Sequence, residues 1–454
     1  MLKKGDHIHL IGIGGVSMSG IAQILFNRGY KVSGSDLKKS KYLKGLNKKN
    51  VNIIIGHKKE NIIGADYVVY SSAVPEDNVE IRAAKGLNIP ILKRAEMLAK
   101  LMREKKTIAV AGTHGKTTTT AMLAAIFKKA DKDPAVMVGG YLPEIGGNVS
   151  DGKGEFFITE ADESDGSFLY FDPYTSVFTN LELDHADFYK DIDEIKSVFK
   201  QFSDKVDNKG FIIYNKDDTN LAELFKQDKF KFSLKDGDYT AANIKYCTVK
   251  SSFEFHSNNQ YIGDIHLKVP GEYNIYNALA AASCAFQLDI DFDIISTALK
   301  NFKGAGRRFE FKGKLLDNKV DVVDDYAHHP TEIKALLKAV KNIGYKEVIA
   351  VFQPHRYSRT KKLFNEFSSA FDDADILYLT DIYSAGEKNN FNISSKDLQK
   401  AVEKNSDVDV RYFSSFSQVK ENILTNLKEG QLILTVGAGN IYKLGEDLLS
   451  DRRK

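Results

Sequence analysis

Tryptophan is absent from this chain of 454 residues, and only two cysteines occur, Cys247 and Cys284. Two cysteines this far apart lack the spacing of a metal cluster and indicate no disulfide framework. Lysine and arginine number 64 against 61 acidic residues, so the basic excess typical of nucleic-acid-binding proteins is missing. No apolar run approaches the ~18 residues of a membrane span. The composition therefore favours a cytoplasmic protein without nucleic-acid or membrane partners.

Strands alternate with helices along the chain, a pattern typical of α/β folds built on parallel sheets. We expect three units, at 1–98, 99–303 and 304–454. Between about 210 and 270 the segments become short and partly alternating, which predicts an antiparallel ribbon with a hairpin turn at 257–260. The predicted strands are 8–13, 31–33, 67–70, 89–92, 107–110, 156–159, 176–179, 211–214, 230–233, 252–256, 261–269, 320–323, 347–352, 376–379, 410–413 and 432–436, and the predicted helices are 17–27, 79–86, 119–129, 275–286, 332–341 and 361–371.

The most informative motif is AGTHGKTT at 111–118, which joins a predicted strand to a predicted helix. Its glycines let backbone N–H groups approach phosphate oxygens, and the helix N-terminus adds partial positive charge. Lys116 offers a point charge to the β- and γ-phosphates, and Thr117 offers a hydroxyl to Mg²⁺. Val110 stands where the usual pattern has its first glycine. The alternative is a threonine-rich helix start without a ligand.

Glu160 and His185 follow the next two predicted strands of the middle unit. If these strands run parallel to the strand before the phosphate loop, the three carboxyl ends meet in one crevice. Oxygen ligands suit Mg²⁺, for which histidine is a less usual ligand. Solvated loop ends are the alternative for both residues.

A glycine turn follows the first predicted strand. Gly12, Gly14 and Gly15 precede a predicted helix, as in dinucleotide-binding turns, but Ser17 replaces the third glycine of that pattern. Asp36 follows the second predicted strand, where an acidic residue normally binds a ribose hydroxyl. The turn favours a diphosphate ligand without specifying NAD, and a tight turn without a ligand is the alternative.

Three further loops follow predicted strands, where open parallel sheets bind ligands. SSAVP at 71–75 lies in the first unit, and DDYAHHP at 324–330 and QPHRYSRT at 353–360 lie in the third. Arg356 and Arg359 are suited to clamp a carboxylate or phosphate. The adjacent histidines have no third ligand at a spacing typical of zinc. Ordinary or solvated turns are the alternative for all three loops.

Together these segments closely resemble the Mur ligase family over essentially the whole chain. The motifs that carry the resemblance are GIGGVSMSGIA at 12–22, SSAVPEDN at 71–78, AGTHGKTTTT at 111–120, EADESDGSF at 160–168, NLELDHAD at 180–187, GAGRRFEF at 304–311, DDYAHHPTEI at 324–333 and FQPHRYSRT at 352–360. The resemblance implies a three-domain α/β architecture. It consists of an N-terminal Rossmann-like domain for a UDP-sugar, a central P-loop ATPase-like domain with an antiparallel ribbon, and a C-terminal Rossmann-like domain for an amino acid.

The resemblance also implies a ligand for each group of residues. In YNIYNALAA at 273–281, Tyr273 replaces the histidine of the family's adenine-side motif. The implied UDP-sugar residues are Gly12, Gly14, Gly15, Ser17, Asp36, Ser71 and Ser72; the ATP residues are Gly112, Thr113, His114, Gly115, Lys116, Thr117, Thr118, Asn274 and Asn277; the Mg²⁺ ligands are Thr117, Glu160 and His185; and the amino-acid residues are Tyr326, His328, Arg356 and Arg359. The implied catalytic residues are Lys116, His328, Arg356 and Arg359.

The implied reaction is ATP-dependent ligation of L-alanine to the carboxylate of UDP-N-acetylmuramate through an acyl phosphate, in peptidoglycan precursor synthesis. His328 or Asp325 is the candidate acceptor of the amine's proton. One alternative is a ligase of the same family that attaches a recycled peptide to UDP-N-acetylmuramate. More remote alternatives are an NAD-dependent oxidoreductase and a nucleotide switch. We expect a monomer or a homodimer.

Overall fold

The computed structural model describes residues 2–49, 51–184, 188–226, 229–247 and 250–450. This part of the chain forms three β-sheets in chain order, each packed against helices. Within the same residues, no helix has the length and apolar character needed to cross a bilayer.

The first sheet is parallel and is built from the first five strands of the chain. Its elements are β1 (His7–Ile11), α1 (Val16–Asn27), β2 (Lys31–Asp36), α2 (Lys44–Asn47), β3 (Asn52–Ile55), β4 (Tyr67–Tyr70), α3 (Val79–Gly86), β5 (Ile91–Lys93) and α4 (Arg94–Met102), with 3₁₀ turns at Lys41–Leu43 and Lys59–Ile62. The strand order β3-β2-β1-β4-β5 places its switch point between β1 and β4, where open sheets bind ligands.

Strand β2 is longer than predicted, because 31–33 extends through Ser-Gly-Ser to Asp36. These residues have weak strand propensity, but tertiary packing overrides it. Gly34 lies so close to the neighbouring strand that a Cβ there would be 2.6 Å from both the Leu10 carbonyl oxygen and Ile13 Cδ1. Only glycine fits, and the extension brings Asp36 beside the glycine turn.

The middle sheet has ten strands within the described residues, and its centre is parallel. Its elements are β6 (Lys106–Ala111), α5 (Lys116–Lys129), β7 (Ala135–Leu142), β8 (Gly147–Asp151), β9 (Phe156–Ala161), β10 (Thr175–Phe178), α6 (Ile192–Ser203), β11 (Phe211–Asn215), α7 (Thr219–Leu224), β12 (Phe230–Ser233), β13 (Tyr239–Cys247), β14 (Lys250–Ser257), β15 (Gln260–Leu267), α8 (Glu272–Gln287) and α9 (Phe292–Asn301), with 3₁₀ turns at Pro143–Ile145 and Ser167–Tyr170. The order is β15-β14-β13-β12-β11-β10-β6-β9-β7-β8, so β6 lies between β10 and β9.

The predicted antiparallel ribbon is present but begins later than expected. Strands β11, β12 and β13 still pair in parallel, and the antiparallel pairs of the ribbon are β13 with β14 and β14 with β15. The hairpin turn lies where 257–260 predicted it. Asn258 and Asn259 take positive φ values of 49° and 64°, as the favoured two-residue turn requires.

Helix α5 is buried on nearly every side, since it packs against the sheet and against α8 and α9. The run of small residues in α8, with Ala278, Ala280, Ala281 and Ala282 all buried, leaves room for close approach. On the opposite face of the sheet, Phe168, Phe178, Phe199 and Phe202 form a fully buried aromatic cluster. The helix that follows the phosphate loop is therefore held rigidly by its core contacts.

The third sheet is parallel except for its first strand. Its elements are β16 (Glu310–Leu315), β17 (Val320–Asp325), α10 (Pro330–Lys341), β18 (Glu347–Phe352), α11 (Tyr357–Lys362), α12 (Phe364–Phe367), β19 (Ile376–Leu379), α13 (Ser395–Asn405), β20 (Asp409–Tyr412), α14 (Phe416–Thr425), β21 (Gln431–Val436) and α15 (Tyr442–Ser450). The order β16-β17-β21-β18-β19-β20 brings the ends of β17, β21 and β18 together.

The single helix predicted at 361–371 is wrong, because the segment forms the short helices α11 and α12 with a break at Leu363. Side-chain hydroxyls bind backbone carbonyl oxygens on both sides of the break, a kind of contact that often bends helices. Thr360 Oγ1 donates to the Arg356 carbonyl oxygen at 2.8 Å, and Ser368 Oγ donates to the Asn365 carbonyl oxygen at 2.7 Å.

The first sheet is joined to the middle one by α1, which packs on β8. Arg28 donates to Asp151 Oδ1 from both Nε (3.2 Å) and Nη2 (3.1 Å), and from Nη1 to the Leu101 carbonyl oxygen at 2.9 Å. Asn148 Nδ2 donates to the Val16 carbonyl oxygen at 2.9 Å. This contact fixes the first glycine turn relative to the phosphate loop.

Replacing Arg28 with alanine should lower the free energy of unfolding by about 1–3 kcal/mol, because hydrogen bonds between charged, mostly buried groups are lost. Urea denaturation followed by circular dichroism measures the change. The exposed Arg82 of α3 provides the control, and Arg82→Ala should alter stability by less than ~0.5 kcal/mol. Equal losses in both variants would contradict a structural role for the Arg28 contact.

Candidate active site

The phosphate loop lies at the end of β6, between the ends of β9 and β10. Asn180, just beyond β10, makes three hydrogen bonds to the loop. Its carbonyl oxygen accepts from Thr113 N at 3.1 Å, its Oδ1 accepts from His114 N at 2.7 Å, and its Nδ2 donates to the His114 carbonyl oxygen at 3.0 Å. Glu160, at the end of β9, accepts from Thr117 Oγ1 at 3.1 Å. The three strand ends therefore share one crevice, as the sequence predicts.

Two glycines of the loop have backbone angles that other residues rarely adopt. Gly112 has φ +141°, and a Cβ there would lie 2.1 Å from Thr179 Oγ1. Gly115 has φ +82°, and a Cβ there would lie 2.4 Å from Asn277 Oδ1. Both positions need glycine for conformation and for space, which keeps the loop's backbone N–H groups close to the crevice.

Lys116, the first residue of α5, turns its ammonium group toward its own loop. Nζ donates to both carboxylate oxygens of Glu163 at 2.9 Å, to the Thr113 carbonyl oxygen at 3.1 Å and to the Gly112 carbonyl oxygen. Burial lowers the pKa of Lys116, but the negative charges of Glu163 and Asp162 outweigh it and raise the pKa overall. The lysine is therefore charged and fixed at the mouth of the loop. The sequence gives no reason to single out Glu163 among its acidic neighbours.

Oxygen atoms suited to a hard cation lie beside this lysine. Glu160 accepts from Gly139 N at 2.6 Å as well as from Thr117 Oγ1, and its burial raises the pKa of the carboxyl group above the usual value. A buried carboxylate next to a hydroxyl fits Mg²⁺, which prefers oxygen ligands. His185, the third expected ligand, lies outside the described residues, and its neighbour Asp184 lies 3.3 Å from Arg359.

A cavity of about 300 Å³ opens beside the phosphate loop, between α8 and α10. Asn274 and Asn277 line it, as do Tyr273 and Arg308. The asparagines are held in place by the protein: Thr119 Oγ1 donates to Asn277 Oδ1 at 3.2 Å, and Asn274 Nδ2 donates to the Pro270 carbonyl oxygen at 2.7 Å. The cavity combines aromatic, amide and charged groups at one end of the phosphate loop, as a nucleoside site requires.

His114 connects the phosphate loop to the third sheet. Its Nε2 lies 3.5 Å from Glu182, and its Nδ1 lies 3.3 Å from Glu332 of α10. Burial lowers the pKa of His114, but the charges and hydrogen bonds of the two glutamates outweigh it and raise the pKa to about 9. Thr331 Oγ1 also donates to Glu182 at 2.9 Å. The sequence does not identify Glu182 and Glu332 as the partners of His114, because the two glutamates are 150 residues apart in the chain.

Ligand atoms of His114, Glu182 and His329 lie within 4.8 Å of one another. His329, the second of the two adjacent histidines, thus has neighbours that the spacing in the sequence does not predict. The geometry nevertheless disfavours a metal. His329 Nδ1 accepts from Thr331 N at 3.3 Å, so the ring proton is on Nε2 and neither ring nitrogen has a free lone pair for a metal ion. Burial and the nearby His114 lower the pKa of His329, so its ring is neutral. The cluster is an interface contact between the middle and third sheets.

The loops after β17 and β18 bring the expected amino-acid residues together. The rings of Tyr326 and His328 are 5.3 Å apart, those of His328 and His355 are 6.0 Å apart, and Arg359 Nη1 lies 3.3 Å from His355 Nδ1. Arg356 directly precedes α11 and has φ +70°, a strained angle that the Tyr383 carbonyl oxygen holds by accepting from Arg356 N at 2.8 Å.

The two candidate proton acceptors have opposite surroundings. Burial lowers the pKa of His328 to about 3, and its Nδ1 lies 3.0 Å from the Tyr326 carbonyl oxygen. Burial raises the pKa of Asp325 to about 6, nearer to neutral pH. The oxygens of Asp325 accept from Phe309 N and Ala327 N, both at 2.7 Å, so this carboxylate also fixes the backbone of the site.

The glycine turn of the first sheet lies beside the serine loop across the switch point. A Cβ on Gly12 would lie 3.3 Å from Ser71 Cβ. Asp36 Oδ2 accepts from Gly14 N at 2.8 Å, so the expected ribose ligand closes the turn itself. Gly15 precedes α1, Ser17 lies in its first turn and Ser72 follows Ser71. The structure thus brings all the residues expected to bind the UDP-sugar to one edge of the first sheet, at its switch point.

Comparisons with known proteins agree over the whole chain. Three family profiles match consecutive stretches: "Mur ligase family, catalytic domain" at residues 7–106, "Mur ligase middle domain" at 110–285, and "Mur ligase, glutamate ligase domain" at 307–439. UDP-N-acetylmuramate–L-alanine ligase of Geotalea uraniireducens is 47% identical over 99% of this chain and 98% of its own length. The enzyme of the same name from Caldanaerobacter subterraneus is 46% identical over 100% and 99%.

Solved structures match as well. UDP-N-acetylmuramate–alanine ligase of Thermotoga maritima superposes with a TM-score of 0.84 at 30% identity and covers 98% of this chain and 99% of that one. A murein peptide ligase of Psychrobacter arcticus shares the fold, with a TM-score of 0.71 at 24% identity over 98% of both chains.

His114→Gln should destabilise the protein at neutral pH and have little effect at high pH. Because the folded pKa of about 9 exceeds the ordinary value of 6.5, the protonated ring stabilises the fold fully below pH 6.5, and this contribution is lost as the pH rises through 9. The difference in unfolding free energy should be at most about 3 kcal/mol at pH 6.5. Urea denaturation at pH 6.5, 8 and 9.5 measures it, with His256→Gln on β14 as control. A difference that does not change with pH would contradict a charged His114.

Proposed function

The chain belongs to the Mur ligase family, and we propose that it joins L-alanine to the carboxylate of UDP-N-acetylmuramate with ATP as the energy source. One observation carries the proposal. The phosphate loop, with its charged Lys116, lies in a crevice that also holds Thr117 and Glu160. Arg359, from a loop of the third sheet, reaches the same crevice. The full-length relatives described above support L-alanine as the amino acid.

A carboxylate is a poor acyl donor, so the first step has to supply a leaving group. The muramyl carboxylate attacks the γ-phosphorus of ATP, ADP leaves, and an acyl phosphate results. Lys116 neutralises charge on the transferred phosphoryl group, and the loop's N–H groups hold the other phosphates. For this, the Lys116 ammonium exchanges one carboxylate or carbonyl partner for a phosphate oxygen.

Thr117 and Glu160 are the proposed protein ligands of Mg²⁺, together with His185. When bound, Mg²⁺ supplies positive charge next to the phosphates. Gly139 N fixes the Glu160 carboxylate by a hydrogen bond at 2.6 Å, which orients the ligand before any cation arrives. Asn274 and Asn277 are proposed to bind the adenosine end in the cavity beside Gly115.

The second step forms the amide bond. The amine of L-alanine attacks the activated carbonyl, phosphate leaves, and the amine gives up a proton to one of the two candidate acceptors, Asp325 or His328. Arg359 and Arg356 are proposed to bind anionic groups of the amino acid or the phosphate, with Tyr326 and His328 beside them. Arg359 is already paired with Asp184 at 3.3 Å, and this pair joins the third sheet to the middle one. An anionic substrate that binds Arg359 competes with Asp184, so substrate binding is coupled to the contact between the two sheets.

We propose the unit boundaries near residues 98 and 303, with the UDP-sugar bound at the edge of the first unit. The glycine turn and Ser71 supply backbone N–H groups and hydroxyls for a diphosphate. Each unit then carries one substrate, so the chemistry requires all three to close on the acyl phosphate and exclude water.

A phosphate-release assay tests the proposed reaction. With UDP-N-acetylmuramate and ATP-Mg²⁺, L-alanine should release phosphate in an amount equal to the amide product measured by mass spectrometry. Serine and glycine test selectivity, since one methyl group discriminates by only about 1–3 kcal/mol. Release with a tripeptide but not with L-alanine would replace the proposal with the peptide ligase alternative, and tight NAD binding without ligation would favour the oxidoreductase.

Lys116→Met should reduce kcat by at least 10²–10³-fold, roughly the loss seen when one charge-stabilising group is removed from an active site. The matched control is Lys129→Met, since Lys129 is exposed at the other end of α5. Circular dichroism checks the fold of both variants, and the coupled assay gives kcat. Full activity in the Lys116 variant would contradict the role of the phosphate loop.

A further inference from the structure

Residues 304–310, which we call the connector, join the middle sheet to the third and have a strained backbone. Arg307 and Phe309 have φ values of +59° and +47°, in the left-handed region that residues other than glycine rarely adopt. Strain of this kind persists only where the surroundings fix the backbone, and it is concentrated at functional sites. The contacts that hold the connector therefore indicate what it positions.

The side chain of Arg307 binds two loops of the third sheet to the connector. Its Nε donates to Asp324 Oδ2 at 2.8 Å, its Nη2 to the Gly437 carbonyl oxygen at 2.5 Å and its Nη1 to the Gly439 carbonyl oxygen at 3.2 Å. Asp324 is fully buried, and its other oxygen accepts from Thr435 Oγ1 at 2.7 Å. Only the planar fork of a guanidinium reaches three acceptors in this arrangement, so a lysine would not replace it.

Arg307 also holds Tyr326, the first residue after β17. Its carbonyl oxygen accepts from Tyr326 N at 2.8 Å, and its guanidinium carbon lies 5.0 Å from the centre of the Tyr326 ring. The ring of Tyr442, the first residue of α15, has its centre 4.8 Å from the same carbon. The guanidinium carbon of Arg308 lies 5.2 Å from the centre of the Tyr326 ring. Because such contacts are attractive, the connector fixes both the backbone and the ring of Tyr326.

Arg307 differs from the arginines that face the ligand sites. Arg308 lines the cavity beside the phosphate loop, and Arg359 lies in the crevice. Three of the five N–H donors of Arg307 are bound to protein oxygens, and two aromatic rings lie against its guanidinium group. Its charge is already paired with the buried Asp324. Arg307 therefore acts on the site through the groups that it holds.

We propose that Arg307 is a positioning residue for the amino-acid substrate, which holds the Tyr326 ring and the backbone of 437–439 at the third sheet's side of the crevice. This inference rests on the proposed function, because Tyr326 is proposed there to lie beside L-alanine. The holding of the loops depends only on the contacts described above.

The attachment of the connector to the middle sheet does not use the Arg307 side chain. Gly306 N donates to the Tyr141 carbonyl oxygen of β7 at 2.8 Å, and Gly139 N of the same strand donates to Glu160 at 2.6 Å. A change in the Arg307 side chain should therefore disturb the amino-acid side of the crevice and leave Glu160, the proposed Mg²⁺ ligand, in place.

Arg307→Lys tests the positioning role, because lysine keeps the charge and loses the fork. KM for L-alanine should rise about ten- to a hundred-fold, as expected when hydrogen bonds to a charged group are lost. KM for ATP and KM for UDP-N-acetylmuramate should change by less than about threefold, because their loops belong to other sheets. Equal rises in all three KM values would overturn the inference.

Arg411→Lys is the matched control. Arg411 is also paired with an aspartate, Asp409, and its guanidinium carbon lies 5.9 Å from the centre of the Tyr378 ring. It lies on β20, the strand at the edge of the third sheet opposite to β16. All three KM values should be unchanged in this variant. A rise in KM for L-alanine equal to that of Arg307→Lys would show a general effect of the third unit and overturn the inference.

A double-mutant cycle tests whether Arg307 acts through Tyr326. Tyr326→Leu removes the ring, and adding Arg307→Lys to that variant should raise KM for L-alanine by at most about threefold more, since residues in contact act non-additively. The full effect of Arg307→Lys in both backgrounds would overturn an action through Tyr326.

Hydrogen exchange measured by mass spectrometry gives a readout that does not need activity. In Arg307→Lys, amide exchange should be about tenfold faster in 304–310, 324–327 and 437–440, with the other strands of the third sheet unchanged. Faster exchange throughout the third sheet, or no change in these segments, would overturn the holding of the loops. A wild-type protein without ligase activity in which Arg307→Lys gives this exchange pattern would overturn the proposed function and leave the holding intact.

Tyr442→Leu is the second variant, in case Arg307→Lys does not fold. It removes one ring from the guanidinium group and keeps every hydrogen bond of the Arg307 side chain. KM for L-alanine should rise about two- to fivefold, the effect of one such contact, with KM for ATP unchanged. If this KM for L-alanine equals that of the wild type, the inference is overturned.

Discussion

The structure depends on one constraint, the position of β6 between β9 and β10 in a parallel sheet. Parallel pairing puts the carboxyl ends of neighbouring strands at one edge, so the phosphate loop, Glu160 and Asn180 meet there although up to 69 residues separate them. The buried α5 then fixes the direction of the loop. Every contact proposed for ATP follows from this register, because a slip of one residue would turn Glu160 to the other face.

The same crevice also holds the third sheet in place. His114 of the phosphate loop lies between Glu182 and Glu332, and Arg359 lies against Asp184. Both contacts join opposite charges in a mostly buried interface, where removing one partner costs more than forming the pair gains. A ligand that binds in this crevice therefore contacts charged groups from both sheets. Its binding is linked to the distance between the middle and third sheets. This linkage suits a reaction whose intermediate has to be protected from water.

Much of the fold could be predicted from the sequence, and the failures have physical causes. Strand and helix alternation predicted the three parallel sheets, and Asn258-Asn259 predicted the hairpin. Strands β7 and β8 were missed because glycines interrupt their apolar pattern. The prediction of one helix at 361–371 failed because the backbone leaves the helical range at Leu363, with φ −102° and ψ 26°. In the site, residues at strand ends were predictable from motif and position. Partners such as Glu163 and Glu332 were not, since they act through contacts that only the folded chain creates.

Histidine shows how far the surroundings decide the chemistry of a residue type. His328 and His355 lie near arginines and away from solvent, so burial and like charge lower their pKa values to about 3 and 4. His114 is equally buried, but two glutamates keep it charged. The charge of each ring therefore follows from the charged groups that face it, and burial alone does not decide it.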